Sequence, residues 1–125
     1  MTIRIGLIGC GGIVGAHLRG WKAIEGRAQI VAVADIDRAR AERRAAEVGN
    51  PAVFTDYHTM LAQADLDAVD ISLPHHLHRD AVVAAAEAGK HILAEKPLCL
   101  TLEEAADIAR AVEGNKVVMM CAHNQ

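Results

Sequence analysis

A few short stretches hold the residues of this sequence that could do chemistry. The first is Gly9-Cys10-Gly11-Gly12, which follows the apolar residues Ile3, Ile5, Leu7 and Ile8 and precedes a helical pattern with Val14, Leu18 and Trp21 on one face. That order reads as strand, tight glycine turn, helix. In such a turn the first glycine permits the reversal, and the second lets a pyrophosphate approach the backbone where the helix N-terminus offers unpaired N–H groups. Ordinary turns use glycine pairs too, so the next signal matters. Asp35 closes an apolar run at 28–35, twenty residues after Gly15. An acid there can accept hydrogen bonds from the adenosine ribose of a nucleotide on the glycine turn, while Asp37 caps the next helix. Arg38 could stack on adenine or meet a 2′-phosphate. A carboxylate at Asp35 would repel that phosphate, which favours NAD and leaves NADP open. Further along, Lys96 precedes Pro97. The proline holds it extended, and partial burial would lower its pKa, so it could exchange a proton with a substrate hydroxyl as hydride moves to a nicotinamide. Spacing alone favours a surface lysine at a strand end.

The elements that must position these residues alternate along the whole chain. Strands are expected at 28–35, 51–55, 67–73, 90–94 and 116–122 after the first. Helices are expected after the glycine turn, at 38–48, behind an Asp56 N-cap, at 80–88 with Gly89 at its C′ position, and at 101–113, where Thr101 and Glu104 form a capping box and Gly114 ends the run. The fold class is therefore α/β, a doubly wound parallel sheet of Rossmann type with six strands in the order 3-2-1-4-5-6. In that fold the glycine turn, Asp35, the loop from Ser72 to His78, the loop from Glu95 to Pro97 and the pair His123-Asn124 all reach one mouth. Asp70 falls within a central strand, and a buried carboxylate needs a partner. Arg4 on a neighbouring strand is the candidate.

Composition narrows the classes. At 125 residues the chain suits one domain and one core, and its 52% apolar content has only Trp21, Phe54 and Tyr57 as aromatics, which favours a sheet covered by alanine-rich helices. The net charge of −3 with no basic stripe argues against nucleic-acid binding. Cys10, Cys99 and Cys121 are odd in number and suit reduced thiols in a cytoplasmic protein. No signal peptide is expected, since Thr2-Ile3-Arg4 enters a strand at once, and no apolar run reaches membrane length. His75, His76 and His78 invite a metal, but their spacing fits no structural zinc pattern and no metal site is expected.

The run Gly9-Cys10-Gly11-Gly12-Ile13, Asp35, Pro74 with His78 four residues on, Ala88-Gly89-Lys90-His91 and Glu95-Lys96-Pro97 together resemble the glucose-fructose oxidoreductase / inositol dehydrogenase / MocA family. The resemblance covers essentially the whole chain, and Glu95-Lys96-Pro97 is its most specific part. It implies an NAD(P)-binding domain at 1–125 whose cofactor residues include Gly9, Gly11, Gly12, Ile13, Asp35, Arg38, Ser72, Pro74, His78, Glu95, Lys96 and Asn124. Lys96 matches the family's catalytic lysine, and Pro74 and His78 match its cofactor-side loop. Redox chemistry on a sugar, an inositol or a related polyol is the implied activity. Two departures stand out. Val14 occupies a position that is usually glycine or alanine, which would loosen the pyrophosphate site. The resemblance implies a larger substrate domain that is not expected within these 125 residues, so the chain is expected to bind cofactor, to turn over little, and to self-associate as a homodimer through uncovered apolar surface. The rival readings are a stand-alone nucleotide-binding or sensing module, and a methyltransferase, for which Glu95-Lys96-Pro97 would have no role.

Overall fold

The computed structural model describes residues 2–11, 14–95 and 101–122. Six strands, β1 (Ile3–Ile8), β2 (Ala28–Ala34), β3 (Ala52–Phe54), β4 (Ala68–Ile71), β5 (His91–Glu95) and β6 (Met119–Ala122), form one parallel sheet in the order β3-β2-β1-β4-β5-β6. This is the expected doubly wound topology. The connecting helices are α1 (Val14–Ala23), α2 (Arg38–Glu47), α3 (Tyr57–Gln63), α4 (His78–Glu87) and α5 (Leu102–Gly114), with a 3₁₀ turn at His75–Leu77.

Right-handed crossovers put helices on opposite faces once the strand order reverses direction between β3 and β4. Accordingly α1 and α2 pack Val14, Leu18, Ala41 and Ala45 onto Leu7 and Val33. On the other face α3, α4 and α5 pack Met60, Val82 and Ile108 onto Ile8, Ile71 and Ile92. The crevice at a reversal of strand order lies outside the carboxyl ends of the neighbouring strands, here β1 and β4. The β4–β6 half of the α1 face carries no helix among the described residues. Met120, 66% exposed, faces out there, with Ile24, 42% exposed, at its rim.

Local chemistry sets the boundaries. Asp37 and Asp56 accept hydrogen bonds from Arg40 N and His58 N, and Thr101 Oγ1 accepts from Glu104 N, so the three expected N-caps are in place. Gly89 takes the left-handed turn after α4 with φ +76°. Three expectations are corrected. Helix α4 opens at His78 rather than at residue 80, directly out of the 3₁₀ turn. Helix α5 includes Gly114, because the Asn115 side chain donates to Ala111 O and supports one more residue; Lys116, with φ 55°, makes the reversal. Arg4 does not meet Asp70. Its guanidinium binds Asp65 and Asp67 instead, near the start of β4. Val14 is buried in the seam with Leu7 and Val33.

Candidate functional site

The glycine turn is held by three strand ends. Gly9 N donates to Ala34 O at 2.9 Å, and Ser72 N donates to Ile8 O at 2.8 Å, so the ends of β1, β2 and β4 abut. Gly9 sits at φ +93°, and a Cβ built there would lie 2.3 Å from Ser72 O. Only glycine fits. At Gly11 a Cβ would meet nothing within 4 Å, so the backbone there is open to a ligand.

Asp35 leaves β2 and turns back to the glycine turn. Its carboxylate accepts from Cys10 N at 2.9 Å, from Asp37 N at 2.8 Å, and from Arg40 Nε and Nη2 at 3.2 and 3.1 Å. Burial alone would raise its pKa. The Arg40 guanidinium and the two backbone N–H groups outweigh burial and hold it below the usual carboxylate range. Arg44 reaches over from α2 to donate to Cys10 O at 3.4 Å and Gly11 O at 3.2 Å. Burial, with the Asp35 charge beside it, pushes the Cys10 thiol up to about 12, so it is inert near neutral pH.

Beside this turn lies a cleft of about 430 Å³. Gly9, Gly11, Asp35, Ile36 and Arg40 form one wall, and Tyr57, Ser72, Leu73, Pro74 and Leu77 the other. Ser72 Oγ is buried and has no hydrogen-bond partner among the described residues. A buried hydroxyl left in that state costs free energy unless a ligand or water meets it. His78 does not reach the cleft. It is fully buried, and its Nε2 lies 2.8 Å from Leu73 O, holding the Leu73–Leu77 wall from behind.

The structure thus brings together Gly9, Gly11, Asp35, Ser72 and Pro74. Arg38 is not among them: it is exposed and ion-paired with Glu42 at 3.0 Å, and Arg40 stands at Asp35 instead. Glu95 also faces elsewhere. Its carboxylate lies 2.6 Å from His17 Nε2, while His17 Nδ1 lies 2.8 Å from both oxygens of Asp70, which in turn accepts from Trp21 Nε1 at 2.7 Å. Gly12, Ile13, Lys96 and Asn124 lie outside the described residues. Among the described residues no three His, Cys, Asp or Glu side chains group as metal ligands, and no helix is long and apolar enough to cross a membrane. Sequence reasoning missed Arg40, Arg44, Tyr57 and His17. Arg40 and Arg44 share one face of α2 by their four-residue spacing; His17 carried no local signal.

An open glycine turn at a helix N-terminus, an acid closing the second strand and an apolar cleft between them define a dinucleotide-binding α/β domain. Comparison with known proteins agrees. The family described as "Oxidoreductase family, NAD-binding Rossmann fold" (GFO/IDH/MocA) matches residues 3–123, and the chain belongs to it. Among curated relatives, an inositol 2-dehydrogenase 1 of Saccharopolyspora erythraea is 40% identical over 113 residues, covering 90% of this chain and 33% of that one. A D-xylose 1-dehydrogenase (NADP(+)) 2 of Haloferax volcanii is 40% identical over 119 residues, 94% of this chain and 36% of that one. Among solved structures, the WlbA dehydrogenase from Bordetella pertussis, in complex with NADH and UDP-GlcNAcA, superposes with a TM-score of 0.93 at 29% identity, covering 98% of this chain and 37% of that one. The chain therefore spans about a third of the length of the relatives it matches.

Proposed function

We propose that the cleft beside the glycine turn holds the adenosine and pyrophosphate of NAD(H), and that these 125 residues supply the cofactor-binding part of an oxidoreductase acting on a sugar, an inositol or a related polyol. One observation carries the reading: the open backbone at Gly11, the strand-end Ser72 and the Asp35 carboxylate line one cleft beside the glycine turn. The pyrophosphate lies against the turn, where the start of α1 presents N–H groups. The ribose hydroxyls donate to Asp35 in place of the Arg40 guanidinium, and the apolar wall of Leu73, Pro74 and Leu77 takes the flat base. When bound, the nicotinamide gives or accepts a hydride. Lys96, which follows Glu95 out of β5, carries the proton at Nζ, by its match to the family's lysine. The inositol and xylose dehydrogenases named above support the polyol reading.

Because Arg40 offsets the charge of Asp35, NADPH is the second ligand to test. Titrating the chain with NADH and NADPH, followed by Trp21 or cofactor fluorescence, is expected to show saturable NADH binding that weakens at least tenfold in Asp35→Ala. Urea unfolding of the same variant separates lost contacts from a loosened turn, since Asp35 also accepts from Cys10 N. No saturation with either nucleotide overturns the proposal. The rival is a nucleotide-binding module without chemistry; NADH binding by a longer protein that is indifferent to Lys96→Ala in polyol oxidation favours it.

The bare β4–β6 half of the sheet supports a homodimer in solution, formed by Ile24 and Met120 against a second copy. Light scattering is expected to give a mass that rises with concentration. A monomer at the highest concentration removes this part of the reading. The small net charge supports a protein that binds no nucleic acid, and cysteine side chains that form no disulfide among the described residues suit the cytoplasm.

A further inference from the structure

Helix α1, strand β4 and strand β5 meet at one imidazole. The His17 side chain is 8% exposed, that of Asp70 0% and that of Glu95 11%. Both ring nitrogens face carboxylate oxygens, Nδ1 toward Asp70 and Nε2 toward Glu95, and a carboxylate offers no proton. Both nitrogens therefore carry one, and His17 is an imidazolium. Asp70 has a further donor in Trp21 Nε1, so the cluster is closed on the α1 side as well.

Stability alone accounts poorly for this arrangement. Well-packed hydrophobic residues in place of a buried ion cluster are often as stable or more so. A cation near the start of a helix also opposes the helix dipole unless carboxylates compensate it. Location supplies a reason. His17 lies one turn into the helix whose start the cofactor's pyrophosphate would face, and Glu95 is the last residue of β5, immediately before Lys96. One imidazolium between two carboxylates leaves a single net negative charge; without its proton the cluster carries two, on the helix whose start would face an anion.

We propose that His17 is a positioning residue that ties the dinucleotide helix α1 to the end of β5, so that nucleotide binding at the glycine turn and the placement of Glu95 are coupled. This rests on the cofactor reading above. The coupling runs through a rigid three-element contact, and its loss is expected to weaken NADH binding about tenfold, within the usual range for linked sites. It also carries a pH signature. The groups facing His17 are Asp70 from β4 and Glu95 from β5, and their hydrogen bonds and charges, Asp70 first, raise its pKa to about 9. Cys10, near 12, does not titrate in that window.

The test is an NADH titration of the 125-residue chain from pH 7 to pH 10, on the wild type, His17→Gln and Glu95→Gln, with amide hydrogen exchange at residues 94–96 and urea unfolding in parallel. Affinity in the wild type is expected to hold to about pH 8 and then to fall about tenfold as His17 loses its proton. In His17→Gln affinity is weak at pH 7 and flat with pH, and exchange at the end of β5 is faster even where the helices remain protected. Glu95→Gln, which keeps the size of the side chain and the Asp70 contact, reproduces the faster exchange and guards against an unfolded His17→Gln. Variants that bind NADH as the wild type does at every pH, with unchanged exchange at 94–96, overturn the coupling while leaving the cofactor reading in place. A wild type that binds no NADH overturns both.

Discussion

Gly9→Ala is expected to destabilise the domain by about 3–5 kcal/mol, while Gly11→Ala leaves stability within about 1 kcal/mol of the wild type and loses the cofactor. Two costs add at Gly9. A left-handed backbone costs a residue with a Cβ about 1–2 kcal/mol, and the new carbon would lie 2.3 Å from Ser72 O, a backbone atom that cannot swing aside. Relief requires prising the end of β1 from β4, which breaks the hydrogen bond from Ser72 N to Ile8 O. A loss of that size is a large share of the roughly 5–15 kcal/mol that holds a domain folded. Gly11 has neither cost, since its φ is not positive and the space around it is open. That open space is where the pyrophosphate must come, so a methyl group there blocks the ligand and not the fold. Urea midpoints and NADH titrations on the two variants should therefore separate cleanly: one loses midpoint, the other affinity. Equal midpoints would mean that β1 and β4 yield more easily than their packing indicates.

What could be read from the sequence was what local chemistry and period decide. Alternating apolar runs and amphipathic segments gave six strands and their order, because right-handed crossovers leave few topologies. Asp37, Asp56 and Thr101 were legible as caps because capping joins residues two or three apart. The glycine turn and Asp35 were legible because the turn and the strand end each restrict residue type. Contacts between distant residues left no such trace. The partner of Asp70 lies 53 residues away on the helix of the first crossover, and Glu95 meets His17 across 78 residues. Arg4, the candidate named from charge alone, is drawn to Asp67, whose carboxylate accepts from both its backbone N–H and its guanidinium. The exchange of Arg38 for Arg40 has a geometric cause. Side chains on a helix lean toward its N-terminus, so Arg40, in the first turn of α2, reaches back to Asp35, while Arg38 meets Glu42 along the helix surface.

Asp70→Ala is the second variant with a large expected effect, about 3–5 kcal/mol at pH 7, since it strips a buried cation and the Trp21 N–H of their common acceptor. Asp70 is fully buried at the centre of the sheet, paired with Leu7 on one side and Leu93 on the other, so water cannot readily replace the lost oxygens. The pH dependence tells this apart from a simple cavity. His17 titrates in the folded chain at about 9, above its ordinary 6.5. Its stabilising contribution is therefore complete below about pH 6.5 and disappears as the pH rises through about 9. Between pH 7 and pH 10 the wild type should lose on the order of 2 kcal/mol from this group. Without Asp70, the largest cause of the raised value is gone and only Glu95 holds the proton, so the same pH change should cost the variant much less. The gap between the two urea midpoints is thus expected to narrow at high pH. A gap that stays constant from pH 7 to pH 10 would show that the carboxyl volume of Asp70, and not the charge it shares with His17, is what the core requires.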